Sequence, residues 1–349
     1  MGKWKRLLAV GLAAVLFLTG VGCKGSDQPD PDEESSQEEE DMEYPVEVGA
    51  FSLRSRPGDV VSLSPALTEK LYDLGFGSRL TGVSDFCDYP PEAESLPRCG
   101  TAQLPDIEAI KELSPDLVLS SAALPEGAWT ELQQSDIEVV VLPPVTDLAA
   151  LSQTYLDMAR LLEGNTTGAQ IGDLFVSQLE DKTQQLARTM IDAIGEESRK
   201  SVLYVRVLDF NVATGDTLEQ QLLDLIGLDN AAEAFTGWTV PEESWKELAP
   251  TVIFSDNSIT MKMFEQNAYY KGMKAVIGDV WMPVDGAILE RQSLRSLDLM
   301  VEMAKYAYPE ADLAGFTFAR ESGEPAEEAS EPDASGEDSD QLPLPSSIN

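Results

Sequence analysis

The chain has 349 residues, enough to bury a large core, and carries 62 Asp and Glu against 24 Lys and Arg, a formal charge of −38. A field this negative repels nucleic acid and anionic lipid headgroups, which makes both poor partner candidates. There is no histidine, so His-based nucleophilic triads and His-ligated metal sites are excluded and the commonest general base is missing.

The acidic residues are unevenly spread: 20 of the 62 fall in residues 27–47 and 321–340. Lys3, Lys5 and Arg6 precede an apolar run from Leu7 to Leu18, so residues 1–22 read as a targeting segment. The following Gly20-Val21-Gly22-Cys23 resembles a lipoprotein cleavage site, with Gly20 where an aliphatic residue is usual. That resemblance implies a lipidated Cys23; a plain signal peptide or an uncleaved anchor are the alternatives. Residues 23–55 read as an acidic tether, because the stretch to Glu47 has too few apolar residues to bury a core.

Val60–Leu63 reads as a buried strand, broken by Ser64-Pro65. A helix follows with Leu67, Leu71 and Leu74 on one side, ended by Gly75 and Gly77. Leu80–Val83 is a second strand, running into the loop Ser84 to Pro91. A short helix at Asp106–Leu113 and strands at Leu117–Leu119 and Val139–Leu142 complete an α/β lobe over residues 56–146. Residues 147–198 read as connecting helices. Asp147 caps the first, Gly164-Asn165 breaks it, and the second, from Thr167 to about Ala193, spans on the order of 40 Å. A second lobe covers residues 199–320, with strands at Ser201–Val207, Val252–Ser255 and near Asp279–Met282, and a closing helix from Ser293 to Tyr308. Residues 321–349 turn acidic, Pro- and Ser-rich and read as a disordered tail.

A phrase recurs in the two lobes. Glu108 to Pro115 (EAIKELSP), then Asp-Leu-Val-Leu-Ser, matches Glu243 to Pro250 (ESWKELAP), then Thr-Val-Ile-Phe-Ser. Each reads as a helix ending at Pro and feeding a buried strand, so the lobes are built alike. No glycine pattern forms a dinucleotide fingerprint or P-loop, and no close carboxylate pair stands at a strand end. Nothing calls for a resident metal or cofactor. What gathers at the strand ends is aromatic, polar and basic: Ser64, Pro65, Phe86, Tyr89 and Ser121 from the first lobe, and Arg206, Asp209, Phe210, Trp238 and Arg291 from the second. Clefts for large amphiphilic ligands are built this way.

The run VVSLSPALTEKLYDLGFGSRLTGVSDFCDYPPEA, followed by LPRCG and SPDLVL, resembles substrate-binding proteins of ABC importers with a rigid helical backbone. Within that group it is most similar to the vitamin B12-binding branch, related to ferric siderophore and haem binders. The resemblance implies two Rossmann-like lobes joined by a long rigid helix, with a ligand cleft between them. It implies a corrinoid or another chelated-metal ligand, and a permease with its ATPase as partner. It also implies a monomer held outside the cytoplasm on its lipid anchor, with no chemistry of its own. Phe86 and Trp238 sit near aromatic positions of that branch, while others correspond to Ala102 and Ser121. One exposed glutamate per lobe docks on the permease in the family, and these fall on Glu108 and Glu243. Two cysteines of an exported chain can pair, so a Cys87–Cys99 disulfide is expected, with free thiols as the alternative. A carboxylate-based extracytoplasmic enzyme and a scavenger without a permease remain as readings of other classes.

Overall fold

The computed structural model describes residues 43–319 except 196, 197, 209 and 210, so the targeting segment with Cys23 and the acidic tail lie outside the described residues. Its start corrects the expected tether, which does not extend to 55. β1 (Val46–Val48) and β2 (Phe51–Leu53) form an antiparallel hairpin. Val46, Val48 and Leu53 are buried, a period-2 signal hidden among acidic neighbours. The hairpin is pinned to the connecting helices: the Tyr44 hydroxyl donates to the Leu161 carbonyl at 3.1 Å, and Glu43 accepts from the backbone N–H groups of Thr166 (2.6 Å) and Thr167 (3.1 Å).

In the first lobe β3 (Val60–Ser62), β4 (Leu80–Val83), β5 (Leu117–Ser120) and β6 (Glu138–Val141) form a parallel sheet in the order β4-β3-β5-β6. Its helices are α1 (Pro65–Asp73), α2 (Pro91–Glu94), α3 (Ile107–Leu113) and α4 (Glu126–Gln133). Neighbouring residues of β5 enter different cores: Leu117 and Leu119 pack with the connecting helices, while Val118 joins Ile110 and Leu132. Burial on both faces is why β-branched and aliphatic residues dominate these strands.

The connectors are α5 (Leu148–Glu163), capped by Asp147 accepting from the Ala150 N–H at 2.8 Å, and α6 (Ala169–Ile194), joined by one wide turn at Gly164–Gly168. At 26 residues α6 is about 39 Å long. The two helices meet closely. A Cβ at Gly168 would lie 2.5 Å from the Ala159 carbonyl oxygen and 2.5 Å from Arg160 Cα, so only glycine fits there.

The second lobe contains β7 (Lys200–Val207), β8 (Asn211–Val212), α7 (Leu218–Leu225), β9 (Leu228–Asn230), β10 (Val252–Asp256), α8 (Met261–Gln266), α9 (Lys274–Ile277), β11 (Trp281–Val284), α10 (Gly286–Arg291) and α11 (Leu294–Ala307). The parallel strands run β11-β10-β7, β9 joins the start of β7, and β8 pairs antiparallel with its end. The repeated phrase is not repeated structure: the first copy is α3, whereas the second holds a single 3-10 turn, Trp245–Glu247. Trp245 is buried there, and packing that ring against Tyr270 at 5.2 Å overrides the helical pattern.

The lobes are also joined directly, through charged side chains of α1. Glu69 is 1% exposed; it accepts from the Ser293 hydroxyl at 2.6 Å and from Arg295 at 2.9 Å. Asp73 accepts from the Tyr155 hydroxyl (2.6 Å) and the Leu294 N–H (3.1 Å), and buried Lys70 donates to the Arg291 carbonyl at 2.9 Å. Burial pushes the Lys70 ammonium down to about 8, against the pull of Asp73 and Glu69. An unfolded lysine keeps its proton to about pH 10.4. Above the folded value the unfolded state therefore binds more protons, so stability rises with pH; it is lost again as pH falls through the folded value. Urea unfolding should show wild type gaining about 2 kcal/mol on Lys70→Met between about pH 7.5 and about pH 10. A constant difference would contradict this account.

Candidate functional site

β7 ends with Tyr204, Arg206 and Val207, and the loop after β9 brings Trp238 beside them. The Tyr204 and Trp238 rings meet edge-on at 6.5 Å, and the Arg206 guanidinium lies 5.3 Å from the Trp238 ring centre. Glu290 of α10 forms an ion pair with Arg206. Trp238 has a φ of +62°, a left-handed backbone rare for a bulky side chain. It is held there by its N–H donating to Thr214 Oγ1 and its carbonyl accepting from the Val212 N–H, both at 3.1 Å. Such strain persists where surrounding contacts enforce it, as at ligand clamps. The floor beside it is close-fitting: a Cβ on Gly286 would lie 2.6 Å from an Asp256 carboxylate oxygen. Burial opposes the charge on Asp256, but hydrogen bonds from Ser258 and Gly286 hold its carboxyl below the usual range. Buried Glu219 is pushed the other way, above that range, chiefly by desolvation.

In the first lobe, Ser64 is buried and its hydroxyl caps α1 at Leu67, with Pro65 in the first turn. Ser121 is partly buried just beyond β5. Phe86 projects from the loop after β4 with 69% of its surface exposed. Tyr89, in the same loop, lies under Arg295, whose guanidinium is 4.2 Å from the ring centre. Arg291 is spent on the junction between lobes, 3.6 Å from Glu69 and 3.5 Å from Asp88. One short helix, α10, contacts both groups: Glu290 pairs with Arg206 of the second lobe, and Arg291, the next residue, lies against Glu69 and Asp88 of the first. Asp209 and Phe210 lie outside the described residues. Tyr204, Asp256 and Glu290 had not been read from the sequence. The cue to Asp256 and Tyr204 was Gly286, a glycine opening a helix just past a strand.

Glu108 is exposed on α3 near Lys111, at 3.4 Å, and Glu243 is exposed on the turn before Trp245. The expected disulfide is absent: Cys87 and Cys99 are free and buried. They belong to different cores, Cys87 with its sulfur 3.2 Å from Thr68 Oγ1, and Cys99 packed with Val61 and Ile110. Burial pushes the Cys99 thiol up to about 11 and raises Cys87 as well, so both are poor nucleophiles. A thiol-reactive dye should label them only in denaturant, at least about 100-fold faster than in the native protein. Equal rates would refute the burial. Among the described residues no group of three or more His, Cys, Asp or Glu could hold a metal ion.

Comparison with known proteins gives a consistent picture. The chain is 27% identical over 313 residues to an uncharacterised ABC transporter substrate-binding lipoprotein, YvrC, of Bacillus subtilis, covering 86% of this chain and 97% of that one. It is 30% identical over 193 residues to a vitamin B12-binding protein of Pectobacterium atrosepticum, covering 53% of this chain and 64% of that protein. Among solved structures, the haem-binding protein HutB of Vibrio cholerae aligns with a TM-score of 0.62 at 21% identity, over 72% of this chain and 99% of that one. The vitamin B12-binding protein BtuF of the same organism aligns at 0.55 and 22%, over 72% and 96%. These structural likenesses carry the two-lobed fold. The family described as periplasmic binding protein matches residues 60–278, more than half of the sequence, and the chain belongs to it.

Proposed function

We propose that this protein is the extracytoplasmic substrate-binding lipoprotein of an ABC importer. It captures a large chelated-metal ligand, a corrinoid foremost, and delivers it to a permease without covalent chemistry. The observation that carries this reading is an aromatic side chain on a loop of each lobe: Phe86 open to solvent, and Trp238 locked in a left-handed backbone beside Arg206. Aromatic faces offer a planar macrocycle wide contact at small entropic cost. The similarity to a substrate-binding lipoprotein over 86% of this chain supports the transport role, and the 30% identity to a vitamin B12-binding protein supports the corrinoid. Anchoring through Cys23 belongs to the same proposal; its test is the mass of the amino-terminal peptide from membrane extracts.

Titration of the purified protein with cyanocobalamin, haemin and ferric siderophores, followed by visible absorption, tests the ligand class. A saturable shift with cyanocobalamin is expected, weakened about tenfold or more in Trp238→Ala. Saturation by haemin or a ferric siderophore instead would replace the corrinoid within the same function. Binding of none, or turnover of any of them, would overturn it.

A further inference from the structure

Arginines near the site would ordinarily suggest an anionic ligand, since a guanidinium fork suits carboxylate and phosphate. Here their charge is already committed. Arg206 is paired with Glu290. Arg291 lies against Glu69 and Asp88, and Arg295 against Glu69. Arg98, behind the Phe86 loop, donates to the carbonyls of Ser84, Cys87 and Glu94. Asp256, beside Gly286, keeps its negative charge. A ligand carboxylate approaching Arg206 would displace Glu290 and then face it as a like charge across a short gap. Such juxtapositions are how binding sites reject wrong partners. The acidic balance of the whole chain acts in the same direction at longer range.

We infer that the site discriminates by ligand charge, admitting uncharged or cationic chelates and rejecting those with free carboxylates, with Glu290 as the selecting residue. This rests on the binding role proposed above and narrows its ligand class. Arg206 then serves as a support for Trp238, its guanidinium stacked on the ring and tethered by Glu290, rather than as an anchor for a ligand acid. A neutral corrinoid with amide side chains meets this condition, and a porphyrin with two propionates does not.

The test compares each probe with a twin of the same shape and different charge, using quenching of tryptophan fluorescence. The pairs are cyanocobalamin and its monocarboxylic acids from mild hydrolysis, haemin and its dimethyl ester in detergent, and ferrioxamine B and its succinylated form. For whichever scaffold binds, the less anionic twin should bind about tenfold or more tightly. The ratio should narrow about tenfold in Glu290→Gln, a substitution at a half-exposed position. Equal or tighter binding of the anionic twin would overturn the charge rule while leaving the binding role intact. A ratio unchanged in Glu290→Gln would remove Glu290 from it. Binding of no scaffold would overturn both.

Discussion

Glu69→Ala lowers the free energy of unfolding by about 3 kcal/mol, the largest single-residue loss expected outside the apolar core. The carboxylate is almost wholly buried yet holds Ser293 and Arg295 of the other lobe and lies within 3.6 Å of Arg291. Its removal leaves two arginines, 14% and 22% exposed, without their main counter-charge, and a half-lost ionic cluster costs more than the intact one contributes. Glu69→Gln should lose less, about 1–2 kcal/mol, because the amide can still accept from Ser293. Burial holds the Glu69 carboxyl above its usual value despite Ser293 and Arg295. The folded state therefore takes up this proton first, and the advantage of wild type over Glu69→Gln is greatest in acid and is lost as pH rises through the raised value. Urea titrations of the three proteins read all of this. A loss under about 1 kcal/mol for Glu69→Ala would show that the junction is not held this way.

Charge reversal at both Glu108 and Glu243 should cut uptake of the ligand about 100-fold or more while leaving its affinity for the purified protein unchanged. Both carboxylates are exposed, one per lobe, and neither is used in the folded core. An acid on each lobe fixes the orientation of a two-lobed protein on a basic partner, because two bidentate carboxylate–arginine contacts allow one pose. Lys111 sits between Glu108 and Glu131, 3.4 and 2.9 Å away, so the Glu108 charge is partly offset before docking. Glu242 accepts from the Tyr269 hydroxyl and is already engaged, which favours Glu243 as the free acid of the second lobe. Uptake assayed in cells beside binding measured in solution separates the two roles; loss of binding in the double variant would refute the division.

Much of this architecture was legible in the sequence. Val60–Ser62 and Val252–Asp256 stand where short β-branched and aliphatic runs place strands, as burial on both faces favours. Asp147 and Gly164 bound the first connector as cap chemistry requires. The failures are equally physical. Val46 and Val48 were lost among acids, since three-residue strands carry too few apolar positions to outweigh composition. In α1 the sequence pattern marks only the leucines as a buried stripe, yet Glu69, Lys70 and Asp73 are buried as well. They face a partner some 220 residues away, which local spacing does not encode. Trp238 was singled out for its ring, but its left-handed backbone depends on Thr214 and Val212 and is invisible in the one-dimensional chain.

The close seating of the connecting turn on α5 at Gly168 has a mechanical consequence. Tight contact at that glycine, with the Tyr155 and Phe175 rings packed 4.6 Å apart between the helices, makes the pair a strut, and α1 is bolted to α11 by buried ions besides. On the binding role proposed above, cargo would then enter a jaw that is already set, with rearrangement confined to rims such as the Phe86 loop. On the same reading, a frame this stiff would not spring open by itself, and the work of unloading would fall to whatever machine grips the two halves from outside.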